Sequence, residues 1–175
     1  MIKSWMLYFL WSANLLFISC VSKAQIVKEP TITDSAWIKP YPPFRIAGNL
    51  YYVGTWDLAC YLITTSKGNI LINTGLAASA LQIKKNIETL GFNFYATKIL
   101  LTTQAHFDHM GAMAAIKKRT GAKLRVDEKE LDEIESGGNS DYALGGHGST
   151  YQPALPDRLL HDNDTIQLGE MKLIL

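Results

Sequence analysis

The stretch TTQAHFDHMG, Thr102 to Gly111, decides how the chain is read. It sets His106, Asp108 and His109 within four residues, with Gln104 two places ahead. Neutral imidazole and carboxylate are the donors that suit divalent zinc and its neighbours. The apolar run TKILLTT before it reads as a buried strand. HMGAMAAIKKRTG after it reads as one helix with basic residues in its last turns. On a loop leaving a strand end, His106 and His109 can converge with Asp108, and Gly111 permits close backbone approach. A simpler reading needs no metal: Asp108 is a good residue to open a helix.

Outward from this stretch, the chain is built of short units. FRIAGNLYYVG reads as two strands around Ala47-Gly48-Asn49, and ACYLITTSKGNILINTG as a hairpin turning over Ser66 to Asn69. AASALQIKKNIETLG carries apolar residues at Leu81, Ile83, Ile87 and Leu90 and stops at Gly91, the pattern of an amphipathic helix with a glycine cap. KLRVD is a short strand, and EKELDEIES a short helix whose charge run reads as a solvated face. Gly137 to Pro156 is a Gly-, Ser-, Pro- and Tyr-rich loop, long enough to be functional or mobile. DTIQLGEMKLIL closes the chain as a hairpin turning at Gly169-Glu170. The order predicts a mixed α/β fold, a sheet covered by helices. The last strand runs apolar to Leu175 with no cap or polar tail, an exposed edge that reads as an interrupted domain.

The 175 residues suffice for one domain with a proper core and are too few for two. Residues 1–24 place Lys3 before an apolar stretch and a small-residue site at Ser22-Lys23-Ala24, the layout of a secretory leader cut after Ala24. An uncleaved anchor and a lipoprotein with Cys20 as the lipidated residue are the rival readings. The favoured one predicts a periplasmic protein without stable membrane association. Removing Lys3 and Lys23 takes the net charge from +1 to −1, and no basic stripe marks a nucleic-acid surface. Cys60 is then the one remaining thiol, so no internal disulfide forms, and its setting in ACYLI makes it a small buried hydrophobe.

HFDH followed by MGA, after TKILLTT, resembles the HxHxDH signature of the metallo-β-lactamase superfamily, and NILINTG its strand and turn before the first helix. PFRIAGNLYYVGTWDLACYLI and SGGNSDYALGGHGSTYQPALPD are similar to the third subclass of class B β-lactamases. QAHFDH is similar to the GOB-type group, in which glutamine replaces the first histidine. The resemblance implies an αββα sandwich, here an incomplete N-terminal half spanning residues 25–175 and truncated at its C-terminal end. It implies zinc-dependent hydrolysis of the β-lactam ring of antibiotics. It places Gln104 and His106 at a first metal site and Asp108 and His109 at a second, with Asp108 also orienting the nucleophile. One or two Zn2+ are implied; the amide of Gln104 is the weaker donor, which favours a single ion at the Asp108–His109 site.

The resemblance also borders the substrate groove with Trp56 and Tyr142, although both read equally well as surface aromatics. Phe44, Tyr51 and Tyr52 read as core. Asn73 stands where many superfamily members carry aspartate. His147 and His161 do not match the family's further ligand histidines and read as solvent-facing. The 175-residue chain by itself is therefore expected to be inactive and poorly folded. Two alternatives remain open: a thioester, lactone or phosphoester hydrolase of the same fold, and an inactive fragment.

Overall fold

The computed structural model describes residues 27–29, 31, 35–144 and 149–175. The proposed leader, Cys20 and His147 lie outside the described residues. Strands β1 (Phe44–Ala47) and β2 (Leu50–Tyr52) turn at Gly48, whose φ of 52° is open to glycine at no steric cost. Strands β3 (Tyr61–Thr65) and β4 (Gly68–Ile72) follow as a hairpin. Helix α1 (Ser79–Thr89) leads to β5 (Thr97–Leu101), and the short helix α2 (Phe107–Met110) and α3 (Met113–Thr120) lead to β6 (Lys123–Asp127). Helix α4 (Leu131–Ser136) and a long loop come before β7 (Arg158–Leu160), and β8 (Thr165–Leu168) and β9 (Met171–Ile174) end the chain.

Strands β1 to β7 form one sheet in sequence order. The pairs up to β3–β4 are antiparallel, and β4–β5, β5–β6 and β6–β7 are parallel. Because successive side chains point to opposite faces, the continuous apolar runs of β3, β4 and β5 feed two cores at once. Leu62, Leu71 and Leu100 face the helices, where they meet Ile83 and Ile87 of α1 and Met113 and Ile116 of α3. Ile63, Ile70, Ile99 and Leu101 face the other way and meet Ile166. Each such side chain, removed from water, contributes about 1.5–3 kcal/mol.

The expectation of an incomplete N-terminal half of a sandwich is corrected here. Strands β8 and β9 pair with each other as a second sheet, which packs through Ile166, Leu168, Met171 and Leu173 against the first. With helices on the opposite face, the described residues form an α/β sandwich that holds strands of both sheets. Alternate residues of β9, Met171 and Leu173, pack on the first sheet, while Ile174 and Leu175 are exposed.

Three local expectations also change. The helix expected over residues 109–121 is two helices, separated at Gly111-Ala112. Gly111 lies against the turn after β4, where an added Cβ would stand 2.6 Å from Ala77 N and 2.7 Å from Gly75 O. In α1 the buried stripe is Ala80, Ile83 and Ile87, while Leu81 is two-thirds exposed. Phe44 is not core: it stacks on Tyr52 at 5.3 Å in a partly exposed aromatic group with Tyr41, itself 5.1 Å from Trp56. Tyr51 does turn inward, onto Phe92. Cys60 is fully buried, and burial pushes its thiol up to about 12.

Candidate metal centre

The site lies at the carboxyl ends of β4 and β5, where an open α/β sheet characteristically leaves its crevice. Beyond β4, Asn73 adopts a φ of 60°, a left-handed conformation that asparagine tolerates better than most residues. It is buried, and its Oδ1 accepts from Thr103 N at 2.9 Å while its Nδ2 donates to Thr103 Oγ1 at 3.1 Å. The loop after β5 is thereby fastened to the end of β4. Thr102 Oγ1 donates to the carbonyl of Gln104 at 2.5 Å and tightens the same loop.

His106 then opens α2 in extended conformation, and its carbonyl accepts from His109 N and Met110 N. Its side chain makes no capping bond, and Asp108 sits in the helix's first turn rather than at its cap. His109 is held by its own carbonyl, which accepts from Thr74 N at 2.8 Å and from Thr74 Oγ1 at 2.9 Å. Around its ring, Nε2 lies 2.7 Å from Gln104 Nε2 and 3.5 Å from Asp108 Oδ2. Burial holds His109 below its ordinary range; Asp108 opposes that shift and His106 reinforces it. The ring is therefore neutral at neutral pH, the form a metal ion requires.

The structure thus gathers Gln104, Asp108 and His109, and turns His106 to a second group. His106 Nε2 is 3.5 Å from Asp141 Oδ2. Glu133 joins them, and donor atoms of the three lie within 4.8 Å of one another. Asp141 is nearly buried. Burial alone would disfavour its ionised form, but the backbone N–H groups of Leu144 and Ala143 overcome this and hold its carboxyl below the usual range. Glu133 has the opposite fate: burial, with the Asp141 charge beside it, pushes it up to about 7. Its Oε1 is buried and has no hydrogen-bond partner among the described residues. An orphaned carboxylate oxygen beside a second carboxylate and an imidazole fits a divalent cation, and this nitrogen–oxygen donor set suits zinc. The cluster can coordinate a metal ion.

Glu133 corrects the reading of EKELDEIES as a solvated face, for one of its acids turns in toward the site. Nothing in a run of acids on a short helix singles it out. Asp141 is inconspicuous in the Gly-rich loop, where only its distance in space to His106 gives it meaning. A cleft of about 260 Å³ opens beside Gln104 and is lined by Thr102, Thr103, Asp127, Lys129 and Glu130. Tyr142 projects fully into solvent, and Trp56 is half-exposed with the Lys39 ammonium 3.9 Å from its ring centre. His161 is exposed and pairs with Glu128 at 3.1 Å. No described helix is long and apolar enough to cross a membrane.

Comparison with known proteins matches residues 54–173 to the metallo-beta-lactamase superfamily. Among solved structures, the class B3 di-zinc metallo-beta-lactamase LRA-12 from an Alaskan soil metagenome is 69% identical, with a TM-score of 0.83 over 85% of this chain. The metallo-beta-lactamase GOB-18 from Elizabethkingia meningoseptica is 56% identical, with a TM-score of 0.84 over 86% of this chain. A beta-lactamase from Chitinophaga pinensis is 56% identical, with a TM-score of 0.82 over 85%. The chain spans 56% of the length of each of these three. With the donor residues gathered at the strand ends and the match covering most of the chain, the protein belongs to the metallo-beta-lactamase superfamily, as a relative of its class B3 enzymes.

Proposed function

We propose that the protein opens the β-lactam ring of antibiotics by zinc-dependent hydrolysis, and that it stands with the GOB-type enzymes of class B3. The observation that carries this reading is the convergence of Gln104, Asp108 and His109 at the head of α2, with His106 turned to the Glu133–Asp141 cluster that can itself coordinate a metal ion. Gln104 occupies the place that distinguishes the GOB-type signature. The similar enzymes named above are β-lactamases, and LRA-12 is a di-zinc one.

Gln104, His106, Asp108 and His109 would hold zinc, which would supply Lewis acidity and make water nucleophilic at neutral pH. The chain's own groups do the rest. Neutral His109 offers a lone pair, and Asp108 beside it offers negative charge and an acceptor that orients the attacking water. The water oxygen bonds to the lactam carbonyl carbon, the C–N bond breaks, and the ring nitrogen takes a proton. Gln104 is a neutral and weaker donor, so Asp108 and His109 would hold the metal more firmly. Trp56 and Tyr142, both exposed, are the residues that would border an apolar part of the substrate. Export to the periplasm, with cleavage after Ala24, brings the enzyme to where such antibiotics act.

The test is a panel of a penicillin, a cephalosporin, a carbapenem, a thioester and a phosphodiester, assayed with zinc and after chelation. Turnover of the β-lactams that chelation abolishes supports the proposal. Zinc binding accompanied only by thioester or phosphodiester cleavage would overturn it.

A further inference from the structure

The grip on the His109 ring determines which of its nitrogens carries the proton. Gln104 Nε2 lies 2.7 Å from His109 Nε2. An amide nitrogen only donates, so His109 Nε2 accepts, and the ring hydrogen sits on Nδ1. The partner of Nδ1 is Thr103 Oγ1, at 3.1 Å. For that hydroxyl to accept, its own hydrogen must go elsewhere, and Asn73 Oδ1 stands 3.2 Å away to take it. The same Asn73 oxygen accepts from Thr103 N at 2.9 Å, which fixes the threonine from its backbone as well. Asn73 itself is 3% exposed and held left-handed, so the support is rigid.

We propose that Thr103, oriented by Asn73, is a positioning residue for His109: it accepts the Nδ1–H and leaves the Nε2 lone pair directed at the metal position. The role deepens the zinc reading of the site and rests on it. It also explains how asparagine serves at position 73, since the amide oxygen is the acceptor that the threonine hydroxyl needs. Partners that orient a ligand in this way typically alter metal affinity by about 10–100-fold when removed.

The experiment compares the unsubstituted protein with Thr103→Val, which removes the hydroxyl at equal volume, and Thr103→Ser, which restores it. Nitrogen-15 NMR of the chelator-treated protein at pH 8 reads the His109 tautomer, and chelator competition reads zinc affinity. The expected result is an Nδ1–H ring in the unsubstituted and serine proteins. Thr103→Val should shift the ring toward Nε2–H and weaken zinc by about 10–100-fold. An Nε2–H ring in the unsubstituted protein overturns the proposal, and so does a valine variant that keeps both tautomer and affinity. Should the valine variant fail to fold, the other two spectra still decide. Should the unsubstituted protein bind no zinc, the zinc reading of the site falls, while the tautomer spectrum still tests the role of Thr103.

Discussion

Replacing Glu133 with glutamine is expected to stabilise the metal-free protein above pH 7 and, at the same time, to blunt its response to zinc. Burial and the neighbouring Asp141 raise the Glu133 carboxyl from 4.5 to about 7. That gap corresponds to at most about 3.4 kcal/mol of cost for carrying the charge. Glu133 is only partly buried, so screening by water lowers the working figure to about 1–2 kcal/mol. A raised acid pKa means that, between pH 4.5 and 7, the folded chain binds more protons than the unfolded chain. Stability therefore falls as pH rises through that window and levels off above it. Glutamine has no proton to lose, and its amide can still donate to the Asp141 carboxylate. Urea titrations of chelator-treated protein at pH 4.5, 6 and 8 should show the glutamine variant gaining on the parent as pH rises. Added zinc should then raise the melting temperature of the parent more than that of the variant, because a cation favours the ionised carboxylate. A constant difference between the two proteins across pH, or an equal zinc response, would refute the reasoning.

Gly111→Ala should cost about 3 kcal/mol in urea titration, because its Cβ would press on the backbone of Gly75, Leu76 and Ala77, none of which can rotate away. Asp157 accepts from Lys117 and Lys123 at 2.8 Å each and from Leu124 N at 3.0 Å. Burial opposes its ionisation, but these bonds prevail and hold it at about 2. Its contribution is present above the ordinary carboxyl range and lost as pH falls toward 2. Asp157→Asn should therefore cost about 1 kcal/mol at pH 7 and flatten the acid limb of the stability profile. Cys60, buried and with its thiol pushed up to about 12, should resist a thiol reagent at pH 8 in the folded protein and react at once in urea. Rapid labelling without unfolding would mean that β3 opens readily.

What the sequence discloses about the site depends on how far apart in the chain its parts lie. Gln104, His106, Asp108 and His109 are legible because one turn of loop and one turn of helix carry them all, and local spacing is what a sequence displays. The strands and α1 are legible for the same reason, since apolar period and turn residues act within a few positions. Asn73 is visible only as a departure from aspartate. Its work, fastening Thr103 across the parallel pair β4–β5, depends on a register that no local pattern encodes. Glu133 and Asp141 lie further from legibility still. Each sits among residues of its own kind, acids in one segment and loop formers in the other, and its place in space beside His106 separates it from them. The break after Gly111 is equally silent in the helical pattern: Gly111 lies against the backbone of residues 75–77, and the chain leaves helical geometry at Ala112. The sequence displays the candidate donors, and the fold supplies the groups that set their protons and charges. Glu133→Gln and Thr103→Val therefore test what local spacing does not carry: one asks whether the fold has placed a charge where only a cation makes it favourable, the other whether it has chosen the nitrogen that a cation meets.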